Sequence, residues 1–301
     1  MLGGNVFDWT ADEATSFSIL DAFVHGGGNF VDTADVYSVW IPGHVGGESE
    51  TVLGNWFKRS GQRSNIVLAT KVGMQMAPDK KGLRATYIQQ AVEDSLRRLQ
   101  TDYIDLYFSH TDDATTPLDE TLGAYDRLLK AGKIRAIGAS NYSAARLQEA
   151  LRLSDARKLP RYQVLQPHYN LYQRAEYENA LEKVCMENSL GVVVYFALAS
   201  GFLSGKYRSA NDFGKSPRGR RMQDYLNERG LRILAALDTV AAAHDATPAQ
   251  IALAWLMARK SVTAPIASAT SVAQVTELLG ALQLQLTQTE IEQLTQSSAT
   301  T

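Results

Sequence analysis

A carboxylate closes the apolar run Phe30-Val31-Asp32, and a phenol follows five residues later at Tyr37. Alone, the pair reads as a strand end finished by an Asx-turn, with Tyr37 as half-buried packing. The other apolar runs change that reading, because they too end in polar groups: Lys71, His110, Ser140-Asn141, Gln166 and Tyr195 in chain order. Taken singly, Lys71 is a solvated charge, His110 a structural histidine and Ser140-Asn141 a helix cap. Together they hold the parts of a proton donor. A phenol titrates near ~10, about three units too high for efficient donation at neutrality. A buried ammonium within a few ångströms favours the phenolate and lowers that value. The ammonium in turn needs a carboxylate to keep its charge when buried. Asp32, Lys71 and Tyr37 supply such a relay, and His110 can orient or polarise a substrate oxygen. A donor phenol of this kind suits protonation of a carbonyl oxygen as a hydride, supplied by a cofactor, arrives at carbon.

The elements that would carry these groups alternate. Short apolar runs rich in β-branched residues cover 29–31, 66–69, 103–108, 134–137, 162–165, 191–196 and 262–266. Between them, apolar residues recur three and four apart, predicting helices over 87–99, 118–129, 144–153, 177–187 and 231–244. Thr10-Ala11-Asp12-Glu13 reads as a capping box opening a helix that runs to His25 and stops at three glycines. Continuous apolar strands between helices predict a parallel sheet buried on both faces. Seven strands are one short of a closed barrel, and the stub Met1-Leu2-Gly3-Gly4 supplies a first, truncated strand. The expectation is an α/β chain forming a single (β/α)8 TIM barrel over 1–301. An extra helix over 248–258 precedes the last strand, and a helical tail runs from about 286 to 301, capped at Thr287. The longest irregular stretch, 209–221, is polar and basic and reads as a lid or binding loop.

With 301 residues, 45% hydrophobic and 21% charged, and a formal net charge of −2, the chain has ordinary globular composition. Near-neutral charge gives no electrostatic footprint for nucleic acid or an anionic membrane. No run approaches transmembrane length and no signal-peptide pattern opens the chain. One cysteine, Cys185, excludes an internal disulfide framework and fits a reducing, cytoplasmic setting. Five histidines, two of them on helical patterns, form no metal-ligand cluster. Neither a Walker motif nor a G-x-G-x-x-G after a strand is present.

The motifs around these residues resemble the aldo-keto reductase family along nearly the whole chain. They are Phe30–Tyr37 with Gly47–Gly54, Ala69–Gly73, Leu99–His110, Gly132–Asn141, Gln166–Asn170 and Gly201–Tyr207. The branch it is most similar to contains potassium-channel β-subunits and bacterial general oxidoreductases. The resemblance implies a barrel binding NADP(H) and direct hydride transfer to a small-molecule aldehyde or ketone. It makes Tyr37 the general acid, Lys71 and Asp32 its partners and His110 the orienting group. It assigns Ser140, Asn141 and Gln166 to the nicotinamide carboxamide, with Tyr195 stacked on the ring. Leu198, Ser200, Gly201, Leu203 and Lys206 would line the pyrophosphate, and Ser268, Thr270, Gln274 and Glu277 the adenosine end. Gly4 and Asn5 match the turn after the first strand that approaches the cofactor.

Departures from the family pattern are confined. Ser268, Thr270 and Leu278 stand where other residues are frequent in the family, which weakens NADPH preference and leaves NADH open. Arg218, Arg220 and Arg221 serve equally as a grip on a phosphate or as a solvated loop. Against the family pattern, the start of the sequence reads as lacking the usual N-terminal hairpin. Phe7, Trp9, Trp40, Ile41 and His168, beside Tyr169, fall in segments expected at the pocket mouth and suit a hydrophobic carbonyl. Trp9 and Trp40 serve equally to pack the loops together. The alternative from another class is a cofactor-binding regulatory subunit with incidental turnover. Oligomeric state is not legible.

Overall fold

In the computed structural model, which describes residues 1–217 and 219–299, each predicted strand adds to the edge of the one before it. The strands are β1 (Leu2–Gly3), β2 (Phe30–Asp32), β3 (Val67–Val72), β4 (Ile104–Ser109), β5 (Ile134–Ser140), β6 (Val164–Gln166), β7 (Gly191–Val194) and β8 (Ala264–Pro265). They pair in parallel in the order β1 to β8. A bridge between Leu2 and Ala267 then joins the two edges. The Gly3 amide donates to the Ala267 carbonyl at 2.9 Å, and the Ala267 amide to the Met1 carbonyl at 3.1 Å. The result is an α/β barrel of the (β/α)8 kind, and the short stub at the start of the chain is its first strand.

The helices are α1 (Glu13–His25), α2 (Glu48–Ser60), α3 (Ala85–Leu99), α4 (Leu118–Lys130), α5 (Ala144–Arg157), α6 (Glu182–Glu187), α7 (Glu228–Ala243), α8 (Pro248–Met257), α9 (Val272–Gly280) and α10 (Gln288–Ser297). Thr247 and Gln250 form a capping box around Pro248 at the start of α8, the extra helix before the last strand. Thr287 and Glu290 cap the tail helix α10 in the same way. At α1 the expected cap moves. Asp12, not Thr10, is the N-cap and accepts from the Thr15 amide at 2.8 Å. A carboxylate directly before the first helical residue reaches an orphan amide that Thr10 stands too far back to meet. In the expected irregular stretch 209–221 a short 3₁₀ turn forms at Ala210–Lys215, and a second, Gly219–Asp224, begins in it and runs past its end.

Strand side chains alternate between two packed layers. Val31, Leu68, Tyr107, Ile137, Leu165 and Val192 face the helices in the larger core. Ala69, Leu106, Phe108, Val193 and Ile266 fill the barrel interior, with Phe30, Ala136, Val164 and Tyr195 packed against them. The alternation has a direct consequence at the carboxyl ends. Asp32, Lys71, His110, Ser140 and Gln166 each stand an even number of residues beyond an inward-facing position, so the period of two aims them along the barrel axis. Close packing behind them leaves little room. A Cβ on Gly54 of α2 would lie 2.1 Å from the Arg98 carbonyl at the end of α3, so only glycine allows these helices to approach so nearly.

Candidate active site

Strands β2 and β3 place a charge pair at the mouth of the barrel. The Lys71 Nζ donates to Asp32 Oδ2 at 2.7 Å, to the Thr33 carbonyl at 2.7 Å and to the Tyr37 hydroxyl at 3.1 Å. Its three protons therefore meet three oxygens, which is how a fully buried ammonium keeps its charge. The other Asp32 oxygen, Oδ1, accepts from Gln166 Nε2 at 2.9 Å across the barrel. Tyr37 lies beyond the strand, and its ring meets His110 edge-on at 5.9 Å.

The proton affinities follow from this packing. Burial pulls the Lys71 ammonium down, but Asp32 and Tyr37 outweigh it, and the net position is above the usual lysine value. For Tyr37 the expected lowering is not the net result. Burial pushes the phenol up, Lys71 pulls it down, Asp32 pushes it up again, and it ends above its ordinary value. The ammonium offsets part of the desolvation cost rather than reversing it. A phenol in this state holds its proton throughout the neutral range. His110 is pushed well below the usual imidazole value by burial and by Lys71, so it is neutral, and its Nδ1 is buried without a hydrogen-bond partner.

A second polar group spans the far side of the mouth. Ser140 Oγ donates to the Gln166 carbonyl at 2.9 Å, and Asn141 Nδ2 donates to the His110 carbonyl at 2.9 Å. The Tyr195 hydroxyl donates to Asn141 Oδ1 at 2.8 Å. His168, expected at the pocket rim, stacks on the Tyr195 ring instead, 5.1 Å away and inclined by 17°. Next to β1, the Gly4 amide donates to the Asp32 carbonyl at 2.7 Å, and Ser268 Oγ donates to Asn5 Oδ1 at 2.5 Å. The first link ties the end of β1 to β2 at the charge pair, and the second ties it to the segment after β8.

Beyond β7 the chain turns sharply. Ser200 and Gly201 both adopt left-handed backbone (φ 57° and 101°), and the Gly201 and Leu203 amides donate to the Leu198 carbonyl. Leu203 is fully buried, so its side chain belongs to the core and only its backbone is available to a ligand. Lys206 is exposed near Gly201. At the start of α9, Gln274 Oε1 accepts from the Thr270 amide at 2.8 Å, Ser271 caps the helix, and the Glu277 carbonyl accepts from Gln250. Arg218 lies outside the described residues; Arg220 and Arg221 are exposed. Of the residues expected at a pocket mouth, Trp40 meets Tyr37 edge-on at 5.9 Å and Trp9 at 5.6 Å, and its chain neighbour Ile41 is half-buried. Phe7 is fully buried in the larger core rather than exposed beside these rings.

The model of the aldo/keto reductase family matches residues 1–299. The chain belongs to that family. The aldo-keto reductase yakc [NADP(+)] of Schizosaccharomyces pombe is 32% identical over 94% of this chain and 82% of its own length. Protein tas of Escherichia coli is 33% identical over 95% of this chain and 90% of its own. A probable voltage-gated potassium channel subunit beta of Oryza sativa is 32% identical over 88% and 81%. Membership makes the chain an oxidoreductase, and the regulatory-subunit alternative is not favoured. Among the described residues, no helix is long and apolar enough to cross a membrane.

Sequence reasoning missed several groups that this reductase builds around its charge pair. The Thr33 carbonyl gives no sequence signal, because any residue offers one. Ser49 joins Thr33 Oγ1 and the Gly4 carbonyl, both at 2.8 Å. Glu50, fully buried in α2, accepts from Thr70 at 2.6 Å and from Arg98 at 2.7 Å. Asp35 is buried near Glu50, and neither of its carboxylate oxygens has a hydrogen-bond partner. Burial first, and then Glu50, push its proton affinity well above the carboxylate range. A raised acid contributes stability in full below its unfolded value and loses it as pH climbs through the folded one. Asp35→Asn should therefore raise the melting temperature by about 2–4 °C at about pH 8, and leave it unchanged near about pH 4. Paired thermal denaturation across that range checks the sign.

Proposed function

We propose that the chain is an NADP(H)-dependent reductase of aldehydes or ketones. The observation that carries the reading is the Lys71 ammonium held between Asp32 at 2.7 Å and the Tyr37 hydroxyl at 3.1 Å, at the mouth of the barrel. Tyr37 gives its phenolic proton to the carbonyl oxygen. Lys71 stabilises the phenolate left behind, and Asp32 keeps Lys71 charged while Gln166 fixes Asp32. Neutral His110 offers its imidazole to the same substrate oxygen and so orients it. A nicotinamide held by Ser140, Asn141 and Gln166 would supply the hydride.

The residues present suit that cofactor. Ser140, Asn141 and Gln166 offer amide and hydroxyl groups matched to a carboxamide. Tyr195 offers a flat ring whose one face His168 already covers. Ser200 and Gly201 form a left-handed turn open to an anion, with Leu198, the Leu203 backbone and Lys206 around it. Gly4, Asn5, Ser268, Thr270, Gln274 and Glu277 would frame the adenosine end. The stretch from Ser261 to Thr301 carries no Lys or Arg. Lys206 and the arginines of 218–221 would then be the candidates for the charge that meets a 2′-phosphate. Trp9, Trp40 and Ile41 would wall a pocket suited to a hydrophobic carbonyl, and one barrel domain in the cytoplasm would house the whole site. A relative named for NADP(+) supports the cofactor class.

Fluorescence titration with NADPH and with NADH tests the assignment. Tight NADPH binding and weaker NADH binding are expected. Equal affinities would make the enzyme dual-specific, and binding of neither would contradict the reading.

A further inference from the structure

Glu48 opens α2, where an acidic side chain ordinarily points to solvent and gains only from the helix dipole. Here the carboxylate turns back over the loop that precedes it. Oε1 accepts from the Val45 amide at 2.7 Å and from the Gly46 amide at 3.2 Å, while Oε2 accepts from the Ser38 amide at 3.2 Å. Gly46 and Gly47, with φ of 91° and 90°, set the backbone so that successive amides converge on one anion. The two ends of loop 38–47 are thus tied to a single side chain. That loop carries Trp40, the edge of the aromatic wall against Tyr37 and Trp9.

The middle of the loop has few other ties. Trp40 is 45% exposed and Val45 75% exposed, so burial of apolar surface contributes little. The bonds from the Ile41 amide to Ser38, from His44 to Ile41, and between Ser38 Oγ and His44 Nδ1 are internal to the loop. Apart from those on Glu48, two of its amides bond outside the loop: the Val39 amide donates to the Val36 carbonyl at 2.8 Å and the Gly47 amide to the Tyr37 carbonyl at 3.1 Å, and both hold its ends rather than the Trp40 ring. The Tyr37 hydroxyl is fixed separately by Lys71. Loss of the carboxylate would therefore loosen the 40–46 span and let Trp40 shift, while the proton donor stays in place.

We propose that Glu48 is the positioning residue that sets carbonyl selectivity, by holding loop 38–47 so that Trp40 walls the pocket. The inference rests on the reductase reading. It concerns which substrates enter, not the transfer of the proton.

The test compares wild type, Glu48→Ala, Glu48→Gln, Trp40→Ala and the Glu48→Ala/Trp40→Ala double variant, with NADPH and either 4-nitrobenzaldehyde or propanal. For Glu48→Ala, KM for the aromatic aldehyde should rise about tenfold, while kcat for propanal stays within about twofold. Glu48→Gln keeps one acceptor oxygen but turns an amide toward the Ser38 N–H, so its KM should fall between. Trp40→Ala should raise the aromatic KM to a similar degree, and adding Glu48→Ala should change it no further, since both act through one wall. Parallel kcat losses with both aldehydes, or additive effects in the double variant, would overturn the inference and leave the reductase reading standing. If Glu48→Ala does not fold, the same cycle is run with Glu48→Gln. A wild type that binds NADPH yet reduces neither aldehyde overturns the reductase reading and this inference with it.

Discussion

Tyr37→Phe should lower carbonyl reduction by about 10²–10⁴-fold, the range a positioned general acid contributes, while NADPH affinity stays unchanged. The substitution removes one oxygen and keeps the ring, so the edge contacts to Trp40 and His110 survive. Only the proton and the acceptor for Lys71 are lost. Single-turnover kinetics with bound NADPH separate the two quantities. Because Tyr37 sits above its ordinary value, the wild-type kcat/KM should be level through neutrality and should not fall until the phenol itself ionises at alkaline pH. Near-wild-type turnover of the Phe variant would remove Tyr37 from the role of acid.

Lys71→Met should act on two observables at once. It removes the charge that faces Tyr37 and leaves Asp32 buried with Gln166 as its remaining side-chain partner. Breaking a buried pair on one side costs about 3–5 kcal/mol of stability, far more than an exposed pair contributes. Turnover should fall as steeply as in Tyr37→Phe, because the phenolate left after proton transfer has no cation beside it. The sign with pH is fixed by the raised lysine: its contribution is complete below the unfolded value and is lost as pH rises through the folded one. The loss of stability should therefore be full at neutral pH. Thermal denaturation measures it, and an unaltered melting temperature would mean that the pair contributes nothing to the fold. Asp32→Asn, which leaves the ammonium unpaired instead, offers the converse check.

The barrel and the charge pair were legible because both depend on short-range pattern. Apolar runs ending in Asp32, Lys71, His110, Ser140 and Gln166 repeat one signal, and the strand period of two brings all five to the same end of the interior. The same parity, counted from Phe30, Ala69, Phe108, Ala136 and Val164, would have separated inward from outward groups before any coordinates. What was not legible depends on depth or on distant backbone. Leu203 and Phe7 sit beside the site in sequence yet are fully buried. His168 turned to stack on Tyr195 because a neighbouring strand end presented a ring. The direction of the Tyr37 shift depended on how much burial opposes Lys71, which no motif encodes. Asp12 displaced Thr10 as the cap of α1 by a difference of two positions. The Glu48 clamp was invisible for a further reason: a glutamate in a first helical turn is common, and only the two left-handed glycines before it hint that it has amides to collect.

The measurement to make is NADPH oxidation coupled to alcohol formation, followed together for wild-type protein and an aromatic aldehyde. One alcohol formed for each NADPH consumed, with both signals abolished in Tyr37→Phe, is the predicted result. Tight NADPH binding with no alcohol formed from any aldehyde or ketone would contradict it, and would leave the Asp32–Lys71–Tyr37 arrangement without a reaction to serve.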